Sequence, residues 1–296
     1  MDADVLVIGE ALIDIVETPE GDEEFVGGSP ANVAVGLARQ GHAVRLLTRI
    51  GRDDRGARIA AQIEDSGAGV DDRSWTDAAT STARARLRAD GSAEYEFAID
   101  WDIPVSPAAG VRAVHTGSIA LFLEPGATAV RETLRAAAGA AFVSIDPNIR
   151  PALVGERERA LARFADAAAS ADLVKLSDED AAWLYPDASA EEVLERIAGY
   201  GPRLVVMTRG AEGAIGRGPG GIIAVAPLTV TVADTIGAGD AYMASLISSV
   251  LDDPTVVDDV QAFAAALRRA AVMAGITVSR AGANPPSRAE IDSRLG

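Results

Sequence analysis

Six short, mostly apolar runs, at residues 5–9, 44–50, 113–117, 141–145, 173–176 and 204–207, recur along the chain with Ala-rich amphipathic segments between them. A run such as Val5-Leu6-Val7-Ile8-Gly9 is too short for a helix and has no polar face, which suits a strand buried on both sides of a parallel sheet. The segments 30–40, 56–65, 127–138, 156–170 and 190–200 carry helix signals. Strand and helix therefore alternate, which predicts an α/β fold: a doubly wound, mostly parallel sheet with helices on both faces, in one domain spanning 1–296. Two regions break the rhythm. Residues 12–26 and 80–101 alternate with a period of two, carry turn signals at Glu20-Gly21-Asp22 and Asp90-Gly91-Ser92, and are not followed directly by a helix. They predict a small antiparallel β sheet projecting from the core as a lid. Beyond 237 a long helical region runs to about 279.

With 296 residues, 48% of them hydrophobic and 24% charged, the chain builds a sizeable core, and disorder and fibrous repeats are excluded. The absence of cysteine removes disulfides, iron–sulfur clusters, thiolate metal sites and a cysteine nucleophile. His42 and His115 are the only histidines, too few for a His-rich metal centre. Lys175 is the only lysine and does not sit in G-x-x-x-x-G-K, so a Walker P-loop is excluded. The formal net charge is -17 and no basic run interleaves with aromatics, so nucleic acid is not an expected partner. No apolar stretch is long enough to span a bilayer, and the opening residues lack a basic segment followed by an apolar one; the expected location is the cytoplasm, away from membranes.

The segment Asp234-Thr235-Ile236-Gly237-Ala238-Gly239-Asp240 leads into an apolar helical run at 243–250. A Gly-rich turn feeding a helix leaves first-turn N–H groups without partners and puts the positive end of the helix dipole behind them, which makes an anion site. An acid beside that site would repel a phosphate, so the use of Asp240 is to accept a proton from a hydroxyl that attacks phosphorus. The plain alternative is a first-turn acid complementing the dipole, with Gly237 and Gly239 as turn formers. A second Gly-rich turn, Gly27-Gly28-Ser29-Pro30-Ala31-Asn32, also opens a helix. Its paired glycines let a ligand approach the backbone, and Asn32 offers a donor and an acceptor suited to sugar hydroxyls; an ordinary strand-to-helix turn is the alternative. The turn at 27–32 is not a G-x-G-x-x-G fingerprint, which removes the main support for a dinucleotide-dependent oxidoreductase.

Together the two segments resemble the D-T-x-G-A-G-D and G-G-x-x-x-N signatures of the ribokinase (pfkB) family of carbohydrate kinases. The resemblance continues through Gly51-Arg52-Asp53-Asp54-Arg55-Gly56, Asp146-Pro147-Asn148-Ile149-Arg150 and Thr208-Arg209-Gly210-Ala211-Glu212-Gly213, in the family's order and over nearly the whole chain. It implies a ribokinase-like fold and transfer of the γ-phosphate of ATP to a sugar hydroxyl, with ATP and Mg²⁺ as cofactors and a monovalent cation as a further candidate. It implies Asp240 as catalytic base and the amides of Gly237, Ala238 and Gly239 as the anion hole on the transferring phosphoryl group. On the substrate side it places Asp14, Gly28, Asn32 and Arg150; on the nucleotide side it places Asn148, Thr208, Gly210, Gly213 and Thr235. One motif departs from the family. Where many members carry N-x-x-E to organise Mg²⁺ and phosphate, this chain has Ser177-Asp178-Glu179-Asp180. Ser177 on the phosphate side and Asp180 on the metal, through water, are the expected substitutes, and a helix capping box is the alternative. Lys175, two residues earlier, is expected either at a phosphate or in solvent.

Tyr95, Phe97 and Trp101 on the lid are expected to close over a sugar ring and exclude water, or else to form a homodimer face. Residues 25–36 and His115-Thr116-Gly117-Ser118 resemble the fructokinase branch, so fructose phosphorylated at a primary hydroxyl is the first expected acceptor. A 2-keto-3-deoxy sugar acid would need an inward cation from Arg84, Arg86 or Arg88, and ribose or a nucleoside comes third. A non-catalytic sugar sensor on the same fold would have lost the base or the anion hole, and both motifs are present.

Overall fold

Successive side chains of the strand Val5–Ile8 enter opposite cores: Val5 and Val7 join one buried cluster, Leu6 and Ile8 the other. With no polar side to offer, such a strand runs apolar without alternation. The computed structural model describes residues 3–18, 21–87 and 93–296. Arg88 and the turn residues Glu20, Asp90, Gly91 and Ser92 lie outside the described residues, as does the side chain of Tyr95.

The main sheet has nine strands in the spatial order Gly221–Val225, Ala214–Gly218, Leu204–Thr208, Leu173–Ser177, Phe142–Asp146, Ala113–Gly117, Val5–Ile8, Val44–Leu47 and Gly69–Val70. All neighbours pair parallel except at one edge, where a hairpin of the first two strands adds antiparallel pairs. Helices Ser29–Arg39, Asp54–Asp65, Ala238–Asp252 and Val260–Val278 cover one face; Gly126–Ala137, Arg157–Ala168, Asp178–Leu184 and Ala190–Ala198 cover the other. The doubly wound reading therefore holds. The long helical region expected beyond 237 is two helices, broken at Asp253-Pro254, where proline's missing N–H and fixed φ suit a new first turn.

A second sheet orders Gly21–Gly27, Leu12–Thr18, Thr82–Leu87 and Ala93–Ala98. It is mixed, not purely antiparallel as the sequence predicts: each hairpin is antiparallel within itself, but Leu12–Thr18 pairs parallel with Thr82–Leu87. Short turns enforce the antiparallel pairs, whereas the two hairpins are joined through a long stretch of core, so their first strands leave it in the same direction. One cross-strand row, Phe25–Asp14–Ala83–Phe97, shares a face of this sheet. On the opposite face Ile13 and Ile15 join the core, Glu24 pairs with Arg55 and Arg58, and Arg84 pairs with Glu17 and Asp22. Trp101 does not belong to this sheet. It is 3% exposed within the second core cluster, its indole against Gly126, where an added Cβ would lie 2.6 Å from the ring.

Candidate active site

Chain order turns the main sheet in two directions from Val5–Ile8: first outward through Val44–Leu47, later the other way through Ala113–Gly117. A crevice opens where the direction switches, at the carboxyl ends of the strands, and ligands of open α/β sheets bind there. Ser118 directly follows one of the two strands that flank this point, and Glu10 lies two residues beyond the end of the other.

Two helix N-termini meet above the crevice. Helix Ala238–Asp252 packs closely on Ser29–Arg39 because Gly36 carries no side chain; a Cβ there would lie 2.7 Å from that of Ala244. The close approach brings Asp240 within reach of two donors: Ser29 Oγ at 2.7 Å from Oδ1 and Asn32 Nδ2 at 2.8 Å from Oδ2. Burial pushes the Asp240 carboxyl above its ordinary value, while those two hydrogen bonds and the charges of Lys175 and Arg150 pull it back. Each oxygen keeps a lone pair for a further proton donor. Asn32, expected on the sugar, here holds the Asp240 carboxylate.

Gly237 enters the helix at φ 76°, and a Cβ on it would come within 2.7 Å of Ala283, so conformation and space both require glycine. Of the three expected amides, that of Ala238 donates to the Thr235 carbonyl at 3.3 Å, while the first-turn position of Gly239 leaves its N–H without an acceptor inside the helix. Lys175 lies beneath this turn: its Nζ is 2.8 Å from where a Cβ of Gly239 would stand and 2.8 Å from Asp146 Oδ2. Burial works to lower the lysine's pKa, but the charge and hydrogen bond of Asp146, with the charges of Asp240 and Asp180, hold it above the ordinary range. Asp146 is itself pushed up to about 6 by burial, against the opposing pull of Lys175, and its Oδ1 has no partner among the described residues.

Two clefts flank Asp240. One, of about 430 Å³, is lined by Thr208, Gly210, Gly213, Thr235, Ala238 and Gly239, among mostly apolar neighbours. The other, of about 390 Å³, is lined by Glu10, Asp14, Gly28, Ser29, Ser118 and Arg150, with Ala83 and Phe97 contributed by the small sheet. Asp14 stands over Gly27, where a Cβ would fall 2.0 Å from its Oδ2, and burial raises its pKa against the charge of Arg150. Of the expected residues, Thr208, Gly210, Gly213 and Thr235 thus border one space and Asp14, Gly28 and Arg150 the other.

Asn148, Lys175, Ser177 and Asp180 line neither cleft. Asp180, expected at the metal, forms a reciprocal capping box with Ser177; its Oδ2 accepts the Ser177 N–H at 3.0 Å and its Oδ1 the Ile149 N–H at 2.6 Å. Its observed work is therefore to fix the loop carrying Asn148 and Arg150 to the strand end, the capping alternative rather than a free acid facing a cation. Asn148, at φ 36°, accepts from Arg150 Nη1 at 2.8 Å and so orients that side chain. Glu10, Ser29 and Ser118 are cleft residues that sequence reasoning passed over. An acid two residues beyond an apolar strand at the sheet's carboxyl end is the signal that marks Glu10.

The family model for pfkB family carbohydrate kinases matches residues 2–290. The chain belongs to this family. Fructokinase-1 of Zea mays is 31% identical over 97% of this chain and 96% of its own length. The kinase is also similar to a crystal structure of fructokinase with bound ATP from Xylella fastidiosa, with a TM-score of 0.87 and 27% identity over 100% of this chain and 98% of that one. A fructokinase from Vibrio cholerae O395 in its fructose, ADP and calcium ion bound form matches with a TM-score of 0.84 and 25% identity over 100% and 99% of the two chains. No helix among the described residues of the kinase is long and apolar enough to cross a membrane.

Proposed function

We propose that this sugar kinase is a fructokinase that transfers the γ-phosphate of MgATP to a primary hydroxyl of fructose. The observation that carries the reading is the position of Asp240 between two clefts: tied to Ser29 in the wall of one, and adjacent to Gly239 in the wall of the other. In this reading the acceptor hydroxyl gives its proton to a carboxylate oxygen of Asp240, held in place by Ser29 and Asn32. Charge growing on the transferring phosphoryl oxygens meets the Gly237–Gly239 turn, the helix dipole and the ammonium of Lys175 below. Thr208, Gly210, Gly213 and Thr235 border the nucleotide cleft.

The residues present fit a Mg²⁺ that arrives on the nucleotide. No group of three acids or histidines converges on a cation site among the described residues, and Asp146 offers one unpartnered carboxylate oxygen. Bound there, the ion would neutralise phosphate charge, with most of its ligands from phosphate and water. A potassium ion is named with one Vibrio cholerae fructokinase structure, which supports testing a monovalent cation as well.

An uncharged sugar suits the acceptor cleft better than a sugar acid. Glu10 and Asp14 face it with Arg150, while Arg84 and Arg86 are paired with Glu17 on the other side of the small sheet. The same sheet supports a homodimer, since Phe25 at the end of its cleft-facing row is 54% exposed; light scattering tests that face by Phe25→Ser. A cytoplasmic location suits an ATP-dependent enzyme of this kind. The test of function is a coupled ADP-release assay over fructose, glucose, ribose, 2-keto-3-deoxygluconate, inosine and adenosine. The highest kcat/KM is expected on fructose. Turnover confined to the sugar acid or a nucleoside would overturn the substrate, and no acceptor-dependent ADP release would favour a sensor.

A further inference from the structure

Glu10 is 6% exposed, yet its Oε2 has no hydrogen-bond partner among the described residues. A buried carboxylate oxygen left unpaired is costly, and a fold keeps one only where something else meets it. The residue lies at the switch point of the sheet, in the wall of the acceptor cleft, with Ser118 beside it from the neighbouring strand end. The small sheet cannot supply the missing donor from its nearest row, because Ala83 and Phe97 are apolar and Asp14 is another acid. The charged groups that face Glu10 are Arg150 from the loop after Phe142–Asp146 and Asp240 from its helix.

We propose that Glu10 is an acceptor-binding residue whose free Oε2 takes a hydrogen bond from a sugar hydroxyl, so that Glu10 from the core and Asp14 from the small sheet hold one polyhydroxyl ring between them. This rests on the sugar-kinase reading and extends it to specificity. Two acids and one arginine select hydroxyl donors and reject carboxylates, since an anionic acceptor would face Glu10, Asp14 and Asp240 together. Burial pushes the Glu10 carboxyl up to about 7, against the pull of Ser118, its own backbone N–H and Arg150, and with a further push from Asp240. A hydroxyl donor arriving at Oε2 stabilises the ionised form.

The test uses the full chain with Glu10→Gln, which keeps the shape, and Glu10→Ala. KM for fructose is expected to rise roughly tenfold or more in Glu10→Ala, the loss of one charged hydrogen bond, while KM for MgATP stays within about twofold. A set of monodeoxyfructoses then identifies the hydroxyl. One analogue should be penalised in the wild type and lose that penalty in Glu10→Ala, whereas the others keep theirs. Unchanged fructose KM in both variants, or equal changes for both substrates in the folded Gln variant, would remove Glu10 from acceptor binding and leave the kinase intact. Failure of the wild type to release ADP with any sugar would instead overturn the kinase reading itself.

Discussion

Replacing Glu10 with glutamine should stabilise the protein at pH 8 and change it little at pH 5. In the folded chain burial raises this carboxyl from 4.5 to about 7, a gap of about 2.5 pH units between the unfolded and folded states. The folded protein therefore holds the proton more tightly than the unfolded chain, and ionising Glu10 subtracts stability as pH rises. The loss begins near 4.5, where the unfolded chain ionises, and is complete above about 7. At about 1.36 kcal/mol per pH unit, the full loss is about 3 kcal/mol; at pH 5 it is under about 1 kcal/mol. Glutamine carries no charge at either pH, so the variant should gain that difference. Urea unfolding followed by circular dichroism, at pH 5 and pH 8 in the same ionic strength, measures it as a midpoint shift at constant slope. A variant equally shifted at both pH values, or less stable at pH 8, would show that Glu10 is not a buried acid under strain. A stability gain paired with weaker fructose binding is the exchange expected of a residue kept for its site.

Asp240→Asn keeps the side-chain size and the bond from Asn32, reverses the one with Ser29, and removes the proton acceptor; turnover in the ADP-release assay should fall by roughly 10² or more with fructose affinity little changed, and wild-type-like turnover would exclude Asp240 as base. Asp14→Ala should raise the fructose KM more than about tenfold without affecting MgATP, and Gly27→Ala should do the same by displacing the Asp14 carboxylate. Equal losses for both substrates would point to damaged folding instead. With a net charge of -17 the protein repels a nucleotide at long range, so stopped-flow association of MgATP should be unchanged or faster as salt rises from about 20 to about 150 mM at constant free Mg²⁺. A steep fall would reveal a concentrated basic approach to the cleft.

The doubly buried strands were legible because each carries its own evidence: Val5–Ile8 has no polar side, so no other placement suits it. The edge hairpin 214–225 gave no such signal, since Gly216 and Gly218 interrupt its pattern. Those glycines answer to a distant helix, for a Cβ on either would meet the Phe263 ring at 2.8 or 2.6 Å. Trp101 continued the alternating pattern of its hairpin in sequence, but the chain leaves the small sheet before it and buries it against Gly126. In the site, Asp240 was readable from one local motif. Glu10 had only its place after an apolar strand to mark it, because its isolation exists only once residues 118, 150 and 240 have converged on it. The Ser177–Asp180 pair was locally ambiguous, and the Ile149 amide, far along the chain, is what occupies the second oxygen.

A single lysine at 4% exposure gives the folded chain an unusual chemical property: its only side-chain amine is hidden beneath the Gly237–Gly239 turn. An acylating reagent meets no accessible lysine until the ground under Gly239 opens, and Asp146 keeps the amine protonated and unreactive until then. Acylation of Lys175, followed by mass spectrometry, therefore clocks the opening of the Gly237–Gly239 turn and not of the surface. A nucleotide bound over that turn should slow the clock, in proportion to the fraction of sites it fills.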